Sequence, residues 1–245
     1  MDARLWPLLA VLVWPAVARA FEVTHRLASG RRVTVIEIHL PQEQLQLFWK
    51  DDKQQPFKSF AAINRSLAAS GRQLACGMNA GMFHSDLSPV GLCIINRKEF
   101  TPLNLKNGTG NFYLKPNGVL LLTTNGAQVL SSSRYPQVRG PVEFATQSGP
   151  LLLEQGRTHP AFRADSTSRY TRNGAGLANS DALFLAITEE PITLYEFALF
   201  FREVLRCTDA LYLDGAISSV HLPAEGRSDT HSDLGPILGI VTKRP

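Results

Sequence analysis

ALFLAITEEPITLYEFALFFREVLRCTDALYLD (residues 182–214) is the stretch that decides the fold class of this chain. Its two ends, ALFLAIT (182–188) and ALYL (210–213), are short apolar runs of the kind that form buried strands. Between them, TLYEFALFFREVL (193–205) has apolar side chains at the i, i+3, i+4, i+7 spacing of a helix that covers a sheet: Leu194, Phe197, Ala198, Phe201 and Leu205. A strand, a helix and a strand in this order predict a parallel, right-handed βαβ crossover.

Upstream of this unit the sequence is rich in strand and turn patterns. RRVTVIEIHL (31–40) and QLQLFW (44–49) alternate polar with apolar residues, and we predict that they form an antiparallel pair. In NFYLKPNGVLLLTTNGAQVL (111–130), the pairs Asn117-Gly118 and Asn125-Gly126 separate apolar runs, which is typical of a meander of hairpins.

Three further segments complete the expected core. FKSFAAINRSLAASG (57–71) predicts a helix with Phe60, Ile63 and Leu67 on one face and Gly71 at its end. LACGM (74–78) and PILGIV (236–241) are expected to be buried strands. The predicted fold class is therefore α/β in the mixed α+β sense: one domain with mixed, largely antiparallel sheets, β-hairpins and a C-terminal βαβ unit.

The composition is that of a globular protein. The 245 residues are 44% hydrophobic, 19% charged and 9% aromatic, which excludes disorder, collagen-like repeats and coiled coil as the main organisation. Lys and Arg (25) exceed Asp and Glu (21) by only four, and no basic cluster is interleaved with aromatic residues. We therefore expect no nucleic-acid partner.

Residues 1–20 have the pattern of a secretory signal peptide. Arg4 precedes an apolar run from Leu5 to Ala18, and the small-x-small site Ala18-Arg19-Ala20 predicts cleavage before Phe21. The alternative is an uncleaved anchor helix, but the run is shorter than a membrane span and contains two prolines. We expect an exported protein, periplasmic or extracellular, with one domain over residues 21–245 and no membrane span after cleavage.

Cysteine and cofactor patterns are weak. The three cysteines, Cys76, Cys93 and Cys207, permit one disulfide with one thiol left over. We favour the alternative that they are small hydrophobic residues of the buried core. The signatures of phosphate-loop ATPases, dinucleotide enzymes, zinc proteases and common serine hydrolases are absent, and no two of the six histidines have helical metal-ligand spacing. The sequence requires no cofactor, although a divalent cation remains an alternative.

Asp214 is the most suggestive carboxylate. It ends the strand ALYL and precedes Gly215, and ligands of α/β sheets bind beyond the carboxyl ends of strands. Ser218 supplies a hydroxyl nearby. The alternative is an Asp that caps a turn through backbone amides, which is common for Asp-Gly.

The loop NAGMFHSD (79–86) combines polar and aromatic groups that suit a sugar. The residues of interest are Asn79, Gly81, Phe83, His84 and Asp86. A solvated turn whose Phe83 fills the core is the structural alternative.

Two shorter motifs offer anion contacts. In QSGP (147–150), Ser148 and the Gly149 amide are candidate ligands, with a plain turn as the alternative. In RNGAG (172–176), Arg172 offers a guanidinium suited to bidentate phosphate contact, or to an ordinary surface ion pair. Thr193-x-x-Glu196 at the start of the predicted helix reads as a capping box, so we expect Glu196 to be structural.

Taken in order, NAGMF, NGVLL, QSGPLLLEQG, RNGAG, LYEFA and YLDGAISS resemble the phosphodiester glycosidase family over about residues 74–222. In this resemblance, five parts of the chain match family motifs: the loop of Asn79, Gly81 and Phe83, the Ser148-Gly149 pair, Arg172 with Gly176, Glu196 in the helix, and Asp214 with Gly215 and Ser218. Ala216 and Ile217 replace two glycines that follow Asp-Gly in the family, so the turn is expected to differ.

The resemblance implies hydrolysis of the bond between a sugar's anomeric carbon and a phosphodiester in an exported glycan. Asp214 would be nucleophile or base, Arg172 would hold the phosphate, and Asp86 is the candidate second carboxyl. The expected partner is a glycan or sugar-1-phosphodiester. Two alternatives remain: a non-catalytic glycan-binding module, and a metal-assisted phosphodiesterase that uses Asp86 and Asp214 around a divalent cation.

Overall fold

Strands form most of the regular structure in the computed structural model, which describes residues 21–40, 45–178 and 182–244. The predicted signal peptide, residues 1–20, lies outside these ranges. In chain order the strands are β1 (Phe21–Ala28), β2 (Arg31–His39), β3 (Leu45–Phe48), β4 (Arg72–Asn79), β5 (Cys93–Ile95), β6 (Lys98–Thr101), β7 (Gly118–Thr123), β8 (Gly126–Ser131), β9 (Val142–Ser148), β10 (Leu151–Glu154), β11 (Arg157–Thr158), β12 (Asn173–Leu177), β13 (Ala182–Thr188), β14 (Asp209–Tyr212), β15 (Val220–Leu222), β16 (Arg227–Ser228) and β17 (Ile237–Lys243).

These strands form three sheets. The largest has the order β1-β2-β13-β12-β14-β10-β11, the second β16-β15-β4-β17-β3, and the third β6-β5-β9-β7-β8. Every pairing between these strands is antiparallel. The prediction of largely antiparallel sheets with hairpins is confirmed, but within the described residues no parallel pairing makes a sheet mixed, and the fold is mostly β.

The C-terminal βαβ unit is present in a form that differs from the prediction. Strands β13 and β14 run in the same direction, but β12 lies between them and pairs antiparallel with both. The predicted parallel neighbours are therefore separated by one strand. Gly174 and Gly176 of β12 let the aromatic rings of the following helical segment pack closely on this strand, because a β-carbon at Gly176 would lie 2.5 Å from the Phe201 ring.

The predicted pair of RRVTVIEIHL and QLQLFW is wrong. β2 pairs with β1 and β13, whereas β3 belongs to the second sheet and pairs with β17. Ile36 of β2 and Leu47 of β3 face one shared core between sheets, whereas Val33 and Val35 of β2 pack in a different cluster on the opposite face. The alternation identified the buried face of β3, whereas β2 is buried on both faces, and alternation carries no information on the partner strand.

The hairpin predicted at Asn125-Gly126 is present with its loop one residue earlier: Thr123 pairs with Gly126, so Thr124 and Asn125 form the two-residue loop and Gly126 begins β8. Asn117-Gly118 makes no hairpin turn. It follows the cis Lys115-Pro116 bond and begins β7, where the Asn117 side chain donates to the Phe112 carbonyl at 2.8 Å.

Two helical segments cover the sheets. Helix α1 (Phe60–Ala68) is capped by Ser59, whose hydroxyl accepts from the Ala62 amide at 3.3 Å. Helix α2 (Leu194–Leu199) continues as a wider turn through Phe200–Val204. The Thr193–Glu196 capping box is complete, as predicted.

The largest sheet buries a different cluster on each face. Leu211 and Leu213 point into the core shared with the other two sheets. Tyr212 points to the opposite face, where it packs in the cluster with Phe197 and Phe201 of the α2 segment. The alternation of side chains along a strand therefore puts Tyr212 on the α2 side, and Asp214 follows two residues later.

The cysteines are buried, and Cys93 and Cys207 are free thiols. Burial raises the pKa of each of these two thiols to about 12, with a further contribution from Asp209 at Cys207. In the described part of the chain, no helix reaches the length and apolar character that crossing a bilayer requires.

Candidate functional site

Strand ends from two sheets meet around Asp214. The Asn79 side-chain nitrogen, at the end of β4, donates to the Asp214 carbonyl at 2.8 Å. The side-chain nitrogen of Asn173, at the start of β12, donates to the Asn79 side-chain oxygen at 2.9 Å, and the Asn173 backbone carbonyl accepts from the Leu213 amide at 3.1 Å. The sequence places these residues up to 135 positions apart, and hydrogen bonds between strand ends bring them together.

Asn79 fixes the turn that carries Asp214. It is fully buried, and its side-chain oxygen also accepts from the Ser219 amide at 2.8 Å. Both ends of the turn, Asp214 and Ser219, are therefore tied to one carboxamide. These contacts make Asn79 a positioning residue for the Asp214 turn.

Asp214 precedes a short helical turn, Gly215–Ile217, and is half-buried. Burial raises the pKa of its carboxyl, while a hydrogen bond with the Ala216 backbone opposes that change. Ser218 closes the turn, because its hydroxyl donates to the Gly215 carbonyl at 3.0 Å. Ala216 and Ile217 do not have positive φ angles, so residues with side chains fit where the family motif has glycines.

Gly215 lies directly against the Tyr212 hydroxyl. A β-carbon at this position would be 1.9 Å from the hydroxyl oxygen, so only glycine fits. Burial raises the pKa of Tyr212, and the Arg172 charge, its hydrogen bond and the Gly215 amide lower it. Asp214 is near enough that its charge also raises the pKa of Tyr212.

Arg172 is one of the largest fully enclosed side chains, at 2% exposure. Its Nε donates to the Ile192 carbonyl at 2.8 Å, Nη2 to the Ser168 carbonyl at 3.0 Å and Nη1 to the Tyr212 hydroxyl at 3.3 Å. Its guanidinium also stacks near the rings of Tyr170 and Tyr212. Among the described residues its hydrogen-bond partners are neutral, and it belongs to no ion pair.

The Arg172 site is therefore a buried cation with capacity for an anion. A guanidinium has five N–H donors, of which three are used here. Burial lowers the pKa of Arg172, and Tyr212, Tyr170 and the nearby charge of Glu196 oppose this change. Arg172 lines a cavity of about 390 Å³ together with the hydroxyl residues Ser166, Thr167 and Ser168.

Glu196 faces this region but is already neutralised. Its carboxylate accepts from the Thr193 amide at 2.8 Å and from Arg169 at 2.7 and 3.1 Å. Burial raises the pKa of Glu196, but the bonds from Thr193 and Arg169 outweigh it, so the pKa is lowered. These contacts support the structural role expected of Glu196.

Ser148 and Gly149 lie beside the Tyr212 backbone, whose amide donates to the Pro150 carbonyl at 3.1 Å. The Ser148 hydroxyl is buried and has no hydrogen-bond partner among the described residues. Gly149 is required by close packing, because a β-carbon there would be 2.6 Å from that of Asn117.

The loop after β4 approaches the site only at its first residues. Gly81 packs against β9, where a β-carbon would be 2.4 Å from the Gln147 carbonyl oxygen. Phe83 packs against Gly235 and is half-buried, and it belongs to none of the hydrophobic clusters of the described residues. The His84 side chain is exposed.

Asp86 has the contacts of a turn residue. Its carboxylate accepts from the Ser88 hydroxyl at 2.6 Å and from the Ser88 amide at 3.0 Å, and the side chain is exposed. These bonds lower its pKa. No described hydrogen bond joins Asp86 to Asp214 or Arg172, so the structure gives no support for its use as the second carboxyl.

Sequence reasoning missed two parts of this region. Tyr212 looked like one more apolar-strand residue. Glu189, Arg227 and Asp229 were also missed; together with Gly215 and Ser218 they line a second cavity of about 330 Å³. A signal for Glu189 was available, because it directly follows β13 just as Asp214 follows the ALYL run.

No group of three or more His, Cys, Asp or Glu side chains arranged to hold a metal ion occurs within the described ranges. The residues that the metal-assisted alternative would use, Asp86 and Asp214, share no described hydrogen bond.

Two solved structures have a similar fold. The catalytic domain of zebrafish N-acetylglucosamine-1-phosphodiester alpha-N-acetylglucosaminidase, auto-inhibited by its pro-peptide, matches with a TM-score of 0.63 and 14% identity over 92% of this chain and 84% of its own. A hypothetical protein from Synechocystis matches with a TM-score of 0.54 and 15% identity over 91% of this chain and 62% of its own.

Sequence comparison agrees with the fold comparison. The uncharacterized protein YigE of Escherichia coli strain K12 is 29% identical over 181 residues, which are 74% of this chain and 70% of YigE. The family model described as phosphodiester glycosidase matches residues 72–232, somewhat more than the range expected from the motifs. The chain therefore belongs to the phosphodiester glycosidase family.

Proposed function

We propose that this protein is a hydrolase that cleaves the bond between a sugar's anomeric carbon and a phosphodiester in an exported or envelope glycan. One observation carries the proposal most strongly: Arg172 is a buried cation whose described partners are neutral. Membership of a family that includes glycosidases supports it.

Burying a charge without an opposite charge is costly unless a ligand supplies it. Arg172 has two N–H donors left on its terminal nitrogens, and a planar guanidinium matches two oxygens of a phosphate. The hydroxyl residues of the adjoining cavity add neutral donors. This combination suits a phosphodiester better than a neutral ligand.

Asp214 follows Tyr212 by two residues, and the Tyr212 hydroxyl accepts from Arg172 and lies against Gly215, the residue directly after Asp214. A carboxyl whose pKa is raised by burial is suited to act on the anomeric carbon, either as nucleophile or as the base that takes a proton from water. In both cases the new bond forms between carbon and oxygen at the anomeric centre.

The bond from the anomeric carbon to the phosphate oxygen breaks, and its electron pair stays on that oxygen. Arg172 stabilises the negative charge that the phosphate gains as it leaves. Water supplies the oxygen of the free sugar, either directly with its proton passing to Asp214, or by hydrolysing a sugar–Asp214 ester. The products are a free sugar and a phosphomonoester.

A turnover screen tests this proposal. The purified protein from Phe21 is incubated with a panel of sugar-1-phosphodiesters, including methyl N-acetylglucosamine-1-phosphate, and the products are identified by mass. Free sugar with phosphomonoester supports the proposal. Binding without turnover would favour a glycan-binding module, and release of sugar phosphate that stops with a chelator would favour a metal-assisted phosphodiesterase.

A further inference from the structure

We propose that the cavity lined by Glu189, Arg227 and Asp229 is the subsite for the sugar ring, which it would bind as a neutral, hydroxyl-rich ligand. This inference rests on the proposed function and goes beyond it, because it assigns a role to Glu189, Arg227 and Asp229, which the sequence did not indicate as site residues. We call this cavity the Glu189 pocket; it is lined by Thr171, Ile187, Thr188, Glu189, Gly215, Ala216, Ser218, Arg227, Asp229 and His231.

The Glu189 pocket adjoins the turn that follows Asp214. Its wall includes Gly215, Ala216 and Ser218, which form the turn directly after Asp214. With a volume of about 330 Å³ it is at the small end of ligand pockets and has room for about one pyranose ring. A ring bound there would bring its anomeric carbon near Asp214.

The charged groups of the pocket are held in place by each other. Arg227 Nη1 donates to Glu189 at 2.7 Å, while its Nε and Nη2 donate to Asp229 at 3.2 and 3.1 Å. Glu189 also accepts from the Thr34 hydroxyl at 2.5 Å, through the same oxygen that accepts from Arg227. The other Glu189 oxygen makes no hydrogen bond within the described part of the chain, so it can accept one from a ligand.

This chemistry favours a polyol over an anion. Two carboxylates surround one guanidinium, so the local charge is not positive, in contrast to the Arg172 cavity. Fixed carboxylate oxygens accept from vicinal hydroxyls, and Ser218, Thr171 and His231 add groups that donate or accept. Such preorganised polar groups lower the cost of ordering a flexible ligand.

The position of the Glu189 pocket relative to Arg172 matches a glycosyl phosphate. Thr171 lines this pocket and its neighbour Arg172 lines the other cavity. Tyr212 lies between the two, because its hydroxyl accepts from Arg172 and touches Gly215. Sugar and phosphate can therefore occupy neighbouring sites, with the turn that follows Asp214 in the wall of the sugar site.

The test measures binding, so it does not depend on turnover. Glucose, mannose and N-acetylglucosamine are titrated singly by NMR against the wild-type protein and against Glu189→Gln, Asp229→Asn and His231→Ala. Inorganic phosphate is titrated against the same proteins and against Arg172→Lys. Glu143→Gln is the matched control, because Glu143 also pairs with an arginine, Arg97, on an exposed surface elsewhere.

We expect at least one sugar to bind and its affinity to fall at least tenfold in Glu189→Gln and in His231→Ala, with phosphate affinity unchanged. Arg172→Lys should show the reverse pattern, and Glu143→Gln neither change. His231→Ala keeps the inference testable if the carboxylate variants fold poorly, since His231 belongs to no described ion pair.

The inference is overturned if no sugar binds the wild type, or if the pocket variants lower only the melting temperature and leave sugar affinity intact. Failure of the proposed function has a different signature. A wild-type protein that binds sugar through Glu189 but turns over no phosphodiester would retain the subsite and lose the hydrolase assignment.

Discussion

The Arg172 guanidinium and the Tyr212 hydroxyl are joined by a 3.3 Å hydrogen bond inside the protein, and the same hydroxyl touches Gly215. Through this phenol the buried cation is connected to the turn that begins at Asp214. The two residues that the sequence singled out for chemistry are thus connected by one that it did not.

Removing this hydroxyl should impair the proposed reaction more than the fold. In Tyr212→Phe, the Arg172 side chain loses one of its three described hydrogen-bond partners, while the aromatic ring remains in the core with Phe197. We expect kcat/KM to fall about tenfold to a hundredfold, as for loss of one hydrogen bond to a charged group, about 1.5–3 kcal/mol. Steady-state kinetics and a urea melt measure the two effects; equal losses in both would indicate a purely structural role.

Arg172→Lys should keep the charge and lose the planar pair of donors. We expect kcat/KM on phosphodiester substrates to fall about a hundredfold, mostly through KM, because a lysine ammonium binds phosphate as a point charge. Arg97→Lys, which alters an exposed arginine paired with Glu143, is the control and should have no effect. Near-normal KM in Arg172→Lys would exclude phosphate binding at this side chain.

Asp214→Asn should abolish turnover and stabilise the protein at neutral pH. Burial raises the folded-state pKa of Asp214, so its charge opposes folding once the pH exceeds that pKa. In the wild type, the contribution of Asp214 to the free energy of unfolding is present below its pKa in the unfolded state. It is lost as the pH rises through its pKa in the folded state. Urea unfolding at pH 7 should favour the variant, and this advantage should disappear at low pH; a variant that is less stable at pH 7 would contradict the assignment.

The pH dependence of turnover should show the same group. If ionised Asp214 is nucleophile or base, kcat/KM falls on the acid side with an apparent pKa above that of an ordinary aspartate, because of its burial. The acid limb is measured with a substrate whose own ionisation lies lower. An acid limb at or below the ordinary aspartate range would assign the chemistry to another group.

Glu196→Gln should affect stability alone. The variant weakens the capping box with Thr193 and the ion pair with Arg169, for an expected loss of about 0.5–1 kcal/mol in the free energy of unfolding. Turnover should remain nearly intact, as checked by kcat/KM beside a thermal melt. Loss of turnover at unchanged stability would make Glu196 part of the reaction.

The sequence predicted individual elements better than their neighbours. ALFLAIT corresponds to β13 residue for residue, and the amphipathic helix and its cap are where the spacing placed them. The insertion of β12 between β13 and β14 was not predictable, because periodicity reports which face is buried and not which strand lies alongside. For the same reason, β2 and β3 looked like partners although they belong to different sheets.

The candidate site shows a similar division. Arg172 and Asp214 stand out because a charged residue next to an apolar strand is unusual, and the structure connects them through Tyr212. Tyr212 itself is hidden in an apolar run, where a tyrosine is an ordinary core residue. Asp86 looked equally suggestive, but its carboxylate is used by its own turn.

The antiparallel position of β12 sets a fixed distance for substrate recognition. The Arg172 amide donates to the Thr188 hydroxyl at 2.9 Å, and the Thr188 amide donates to the Arg172 carbonyl at 2.8 Å. Arg172 and Glu189 are therefore carried by the two open ends of a single hairpin whose strands are roughly 4.8 Å apart, with Glu189 one residue beyond Thr188, the direct neighbour of Arg172. If these ends hold phosphate and sugar, the pairing of β12 with β13 fixes the separation of the two subsites. Changes in the loops alone then cannot adapt the site to a longer linkage.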